Sequence, residues 1–261
     1  MGCVVAIPVG PGEREAARAH EAIASVREHE PRVECVVVVA DEPQRAFDAD
    51  EVVANPRTGR GLGSMGPTCA ATLCALRWAH AVAPGRWVLR LDADARIVAP
   101  FAARVERALG AHPEAGVLGA CDHTPAGEPR DFSSWVPFVR KHRRAVTAWR
   151  DGRPHVVAAP RVARVVRGGL AAGLEPGRHC VAGGCAVSGA FIGAAAREGL
   201  LDDPAGWAGA RLGDDVMLGL MAASLGYELR DCEIFGVWHR TLPDAPERLA
   251  QRGFAVVHPV K

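Results

Sequence analysis

Residues 34 to 41 read ECVVVVAD, with four valines in succession. Neighbouring side chains of a strand point to opposite faces, so a run that is apolar at every position must be covered on both sides. That requirement suits the interior of a parallel sheet held between two layers of helices. The flanking sequence supplies the alternation such a sheet needs. CVVAIPV (3–9) reads as a short strand ended by GPG, and EREAARAHEAIASVREHE (13–30) has helical periodicity. EVVA (51–54) fits a short third strand. PTCAATLCALRWAHAVA (67–83) fits an apolar helix with Pro67 in its first turn. RWVLRLDAD (86–94) reads as a strand, FAARVERAL (101–109) as a helix and GVLGACD (116–122) as another strand. Regular structure resumes at CVAGGCAVSGAFIGAAAREGLL (180–201). DDVMLGLMAASLG (214–226) reads as a helix closed by Gly226, and YELRD and EIFGVWH as the last strands. The expectation is an α/β chain of one domain, with a mostly parallel sheet and helices on both faces. There is no internal repeat and no linker.

The stretch from 123 to 180 breaks this rhythm. It holds eleven Lys or Arg, among them Arg140, Lys141, Arg143 and Arg144. Such a run is either a solvated basic excursion or the wall of a site for something anionic. The chain as a whole carries a net charge of only +1, which points away from nucleic acid and anionic membranes as partners. The eight cysteines form no C-x-x-C, and several lie in apolar runs, as reduced thiols of a cytoplasmic protein would. Cys180 and Cys185 have no second pair at zinc-ligand spacing. The opening MGCVVAIPVG lacks a basic signal-peptide region, and Ala6 breaks the myristoylation pattern. No apolar stretch approaches the ~20 residues that span a bilayer.

GLGSMG (61–66) satisfies G-x-G-x-x-G, the dinucleotide fingerprint. The fingerprint belongs directly after the first strand and needs a ribose-binding acid ~20 residues later. The first strand is instead followed by GPGE, and 75–85 contains no Asp or Glu, which argues against a dehydrogenase. With Arg57 and Arg60 before a helix, the loop could still meet phosphates through the helix dipole.

The chemistry is expected in the acids. Asp92 and Asp94, at i and i+2 of a strand, would share a face at the carboxyl edge of the sheet, where ligands of open α/β sheets bind. Close carboxylates repel unless a cation holds them, and a divalent metal is the natural partner. Asp214 and Asp215 open an apolar helix, where Asp214 could serve as an N-cap. His239 stands in Val237-Trp238-His239-Arg240, at a strand end.

Taken in order, VVAIPV, VVVVAD, LDAD, VAGGCAVSGAF, LGDD and the late WH resemble a GT-A, Rossmann-like glycosyltransferase of the broad family-2 kind, over about residues 3 to 240. The family's usual Glu-Asp pair is Asp214-Asp215 here. The resemblance implies a nucleotide-sugar-binding half (1–122) and an acceptor-binding half (123–261). The donor, a UDP- or GDP-sugar, would meet Pro8, Asp41 at the base, Arg60, and Asp92 at the ribose or metal. Gly183 and Gly184 would give the sugar close backbone approach. Asp94, with Asp92 and His239, would hold Mn²⁺ or Mg²⁺. Asp215, or else Asp214, would deprotonate the hydroxyl of the acceptor, with inversion at the sugar, and the basic excursion would favour an anionic acceptor. Two rivals are a sugar-phosphate nucleotidyltransferase, for which Pro8-Val9-Gly10-Pro11-Gly12 is a poor phosphate loop, and a nucleotide-sugar-binding protein without catalysis.

Overall fold

The computed structural model describes residues 2–56, 66–143, 147–150, 153–156, 160–181, 183–207, 210, 212–238 and 241–259. The glycine loop of 61–65 with Arg57 and Arg60, as well as Arg144 and His239, lies outside the described residues.

The first half alternates as the valine run requires: β1 (Cys3–Val9), α1 (Glu13–His29), β2 (Val33–Ala40), β3 (Glu51–Ala54), α2 (Gly66–Val82), β4 (Val88–Leu91), β5 (Arg96–Ile97), α3 (Ala102–Ala111) and β6 (Ala115–Gly119). The four valines are fully buried and divide between two cores. Val36 and Val38 pack with Ile23 and Val26 of α1 and Val105 of α3, whereas Val37 and Val39 pack with Leu73 and Leu76 of α2. The alternation of one strand thus fixes a layer of helices on each side of the sheet.

The basic stretch forms an excursion with α4 (Val136–Lys141), β7 (Thr147–Arg150), β8 (Arg153–Val156) and α5 (Pro160–Ala171). β7 and β8 pair only with each other, antiparallel. The excursion is tied at its neck, where Nε and Nη2 of Arg178 donate to the two carboxylate oxygens of Asp122 at 2.8 and 3.0 Å. The chain then enters β9 (Gly184–Val187), followed by α6 (Gly189–Arg197), α7 (Asp214–Ser224), β10 (Glu228–Asp231), β11 (Phe235–Val237), α8 (Pro246–Gln251) and β12 (Val256–His258).

The main sheet has seven strands in the order β10-β6-β9-β4-β1-β2-β3. Every neighbouring pair is parallel except those of β9, which runs antiparallel between β4 and β6. A second sheet, β11-β12-β5, joins the residues just after β4 to the end of the chain. Sequence periodicity gives no strand at 256–258, and it runs the strand at 86–94 too far. β4 ends at Leu91, and Ala95 N–H donates to the Asp92 carbonyl at 3.0 Å, so Asp92 and Asp94 sit in a turn rather than on one strand face. Asp214 is also not an N-cap: Gly213, which has no side chain to cap with, occupies that position.

Helices on the α1 face are joined by a buried carboxylate. Glu30, 3 % exposed, accepts the N–H groups of Phe101 and Ala102 at 2.8 and 2.7 Å, which opens α3 against the end of α1. Glu30→Ala would strand both donors and should cost about 1–3 kcal/mol in chemical denaturation. Glu30→Gln, which keeps an acceptor, should cost less.

Candidate active site

The carboxyl ends of β1, β2 and β4 surround a cleft of about 260 Å³ lined by Pro8, Asp41, Asn55, Thr68, Asp92 and Asp94, among others. It lies where the chain, having laid β2 and β3 to one side of β1, crosses over to β4. This is the switch point at which open α/β sheets bind ligands. Four residues expected at a donor site, Pro8, Asp41, Asp92 and Asp94, therefore line one cleft. Asp41 follows β2 directly and accepts a hydrogen bond from Nδ2 of Asn55 at 2.8 Å.

At the floor, the turn after β4 meets a histidine that sequence patterning leaves unassigned. His258, at the end of β12, approaches Asp94 Oδ1 to 3.0 Å and Asp92 Oδ2 to 3.7 Å through Nε2. Its position follows from the second sheet, where Val256 and Val257 pair with Ile97 and Arg96 of β5, two residues beyond Asp94. Gly183 makes the approach possible. Its φ is +125°, and a Cβ there would lie 2.7 Å from the His258 side chain. Its carbonyl accepts the Asp92 N–H at 3.1 Å, which anchors the turn. Gly184 stands opposite Leu91, where a Cβ would press on Val256 at 3.0 Å. In this structure the two glycines admit β12 to the acidic turn.

Asp92, Asp94 and His258 each offer a ligand atom within 4.8 Å of the others, the one such cluster among the described residues. Two hard carboxylates and one imidazole, all partly open to solvent, make a donor set that could hold a metal ion. Burial alone would raise the Asp94 carboxyl, but the hydrogen bond and charge of His258, with Arg18 at 4.0 Å, hold it below the ordinary aspartate range. The Cys185 thiol is pushed up to about 12, chiefly by burial, and stays protonated.

The second acidic pair is joined to the first by an arginine within β4. Arg90, 3 % exposed, contacts Asp92 Oδ1 at 2.6 Å and Asp214 Oδ2 at 2.8 Å. Burial opposes its charge, and Asp214 and Asp92 more than restore it. Thr72 Oγ1 also donates to Asp214 Oδ2, at 2.6 Å. Asp214 is thus enclosed, with two donors on Oδ2, while the Asp215 side chain remains 16 % exposed. Burial raises the Asp215 carboxyl. His179, with Nε2 3.4 Å away, opposes that rise, and Asp214 adds to it. His179 lines a second hollow, of about 400 Å³, with Arg130, Phe132, Trp135 and Trp238. Arg143 of the basic run is exposed and lies outside this lining. Asp92, Arg90, Asp214, Asp215 and His179 form a continuous path between the two hollows.

Removing Arg90 would leave two carboxylates, one fully buried, without their shared counter-charge. Arg90→Met should destabilise the fold by about 3–5 kcal/mol in urea denaturation, and pairing it with Asp214→Asn should recover part of the loss.

No protein-family model and no curated protein matches this chain. Among solved structures it is similar to the apo structure of WbbM, a bifunctional glycosyltransferase, with a TM-score of 0.50 and 12 % identity. The match covers 98 % of this chain and 45 % of that one, so the chain spans less than half the length of the protein it resembles. At that identity the likeness is one of fold. The chain is an α/β protein with a GT-A-type, Rossmann-like fold matching that of a glycosyltransferase.

Proposed function

We propose that the chain is a metal-dependent glycosyltransferase that moves a sugar from a nucleoside-diphosphate sugar to a hydroxyl acceptor, with inversion. The observation that carries this reading is the Asp92–Asp94–His258 cluster at the switch point of a GT-A-type sheet, with Asp215 next to Asp214, the residue at the far end of the Arg90 bridge. The donor nucleotide would lie across the carboxyl ends of β1 and β2, with Pro8 as a wall and the Asp41–Asn55 pair facing the base. Asp94, Asp92 and His258 would hold the cation, to which His239 could add a further ligand, and Arg60 would approach the phosphates. The cation, when bound, supplies positive charge for the departing diphosphate.

Asp215 is assigned as general base because its side chain, though largely buried, is the more exposed of the pair, 16 % against 7 %, whereas Asp214 Oδ2 meets both Arg90 and Thr72. The acceptor would enter from the 123–261 half, through the hollow beside His179. As the acceptor oxygen bonds to the anomeric carbon, the bond to the diphosphate breaks, and the hydroxyl proton passes to Asp215.

Two outcomes test the reading. In Mn²⁺, Asp94→Asn should lose most of the affinity for UDP or GDP that the wild type shows by calorimetry. In EDTA the two proteins should bind alike; equal affinity in Mn²⁺ would remove the metal from the proposal. The second outcome is kinetic. Burial raises the Asp215 carboxyl, and only the ionised form is a base. Turnover should therefore fall, as pH is lowered, at a higher pH than an ordinary aspartate would give. Asp215→Asn should cost roughly 10²–10⁴-fold in turnover and abolish that acid limb.

A further inference from the structure

We propose that His179 is a positioning residue for Asp215, fixing the orientation and charge of its carboxylate from the wall of the second hollow. The proposal deepens the assignment of Asp215 as the base and rests on it. It begins with the hydrogen-bond inventory of one ring. His179 Nδ1 lies 2.6 Å from the Gly177 carbonyl. A carbonyl only accepts, so Nδ1 carries a proton. The opposite nitrogen, Nε2, lies 3.4 Å from Asp215 Oδ2. Two lone pairs meeting there would repel, so the contact is favourable when either Nε2 or the carboxyl carries a proton.

The ring has no freedom to turn away. It is 3 % exposed and packs against Phe132 and Trp135, with ring centroids 4.7 and 5.5 Å distant. Gly177 itself is pressed on the same two residues: its φ is +94°, and a Cβ would come within 2.9 Å of Trp135 and of the Phe132 carbonyl. On its other side the Asp215 carboxylate accepts the Val216 N–H through Oδ1 at 2.8 Å. Both oxygens are therefore oriented, and each keeps a lone pair for an incoming hydroxyl proton.

The remaining groups around Asp215 do not replace His179. Asp214 precedes it on α7 and repels its charge; Arg90 of β4 is committed to Asp214 and Asp92; Cys69 of α2 and Cys185 of β9 are buried thiols raised by burial. A histidine that merely filled the core would need only the Gly177 carbonyl. The second contact, to a carboxylate behind the wall of the hollow, is what a packing role leaves unexplained.

The test reads the Asp215 carboxyl carbon by NMR in ¹³C-aspartate-labelled protein, with Asp215→Asn to assign the resonance. His179→Phe keeps a ring between Phe132 and Trp135 without a donor, and His179→Gln keeps a donor. The Asp215 resonance should titrate at higher pH in His179→Phe than in wild type, with His179→Gln between them. Identical titration in wild type and His179→Phe, with the rest of the amide spectrum unchanged, would reduce His179 to a packed ring. If His179→Phe does not fold, His179→Gln decides alone: a displaced titration supports the proposal and an unchanged one overturns it. The readout needs no substrate, so a chain that transfers no sugar would defeat the proposed function and still return an answer on His179.

Discussion

A guanidinium buried in the middle of a sheet is tolerable only when carboxylates meet it, and the position of Arg90 organises everything near the candidate site. Its two partners come from different parts of the chain, Asp92 from the turn after β4 and Asp214 from the first turn of α7. Satisfying one charge therefore draws the end of a central strand, a helix start and, through Thr72, the helix α2 into a single cluster. The cluster also divides labour between neighbouring aspartates. Asp214 is consumed in neutralising Arg90, which leaves Asp215 as the acid of that pair that can meet solvent.

Position in the sheet explains why the two hollows lie so close. β4 has β1 on one side and the antiparallel β9 on the other. The first cleft opens over β1 and β2, and the segment leading into β9 carries both His179 and Gly183. In the proposed reading, donor and acceptor would approach from opposite sides of one strand end, with the Arg90 cluster beneath them.

Much of this was legible in the sequence, and the omissions have physical causes. The valine run demanded two helical layers, and the boundaries of β1, α1, β3 and α2 fell where Gly, Pro and periodicity put them. The direction of β9 could not be read, because it depends on how an excursion of nearly sixty residues returns, which no local pattern records. The Asp92–Asp94 pair was found for a reason that does not hold: a turn, rather than strand alternation, brings the carboxylates together. His258 went unnoticed because β12 is three residues long and its partner β5 only two, too short for a period to show. One signal was available and unused. In WVLRL an arginine interrupts an apolar strand, and a charge in that place calls for acids elsewhere in the chain.

The salt bridge at the neck of the excursion, Arg178 on Asp122, bears on how such a chain can change over generations. It closes a loop at its base, and within that loop Val162, Val165 and Val166 of α5 join the core beside α7, so the stretch between Asp122 and α4 is the part least tied to the sheet. Lengthening a flexible loop is cheap, since each doubling adds only about 0.6 kcal/mol of closure entropy. Phe132 and Trp135, which wall the second hollow, lie beyond the neck, whereas Asp92, Asp94 and His258 lie outside the loop altogether. A lineage could thus rewrite the aromatic wall by insertion or exchange within the stretch before α4, keep α5 packed on α7, and inherit the acidic turn unaltered.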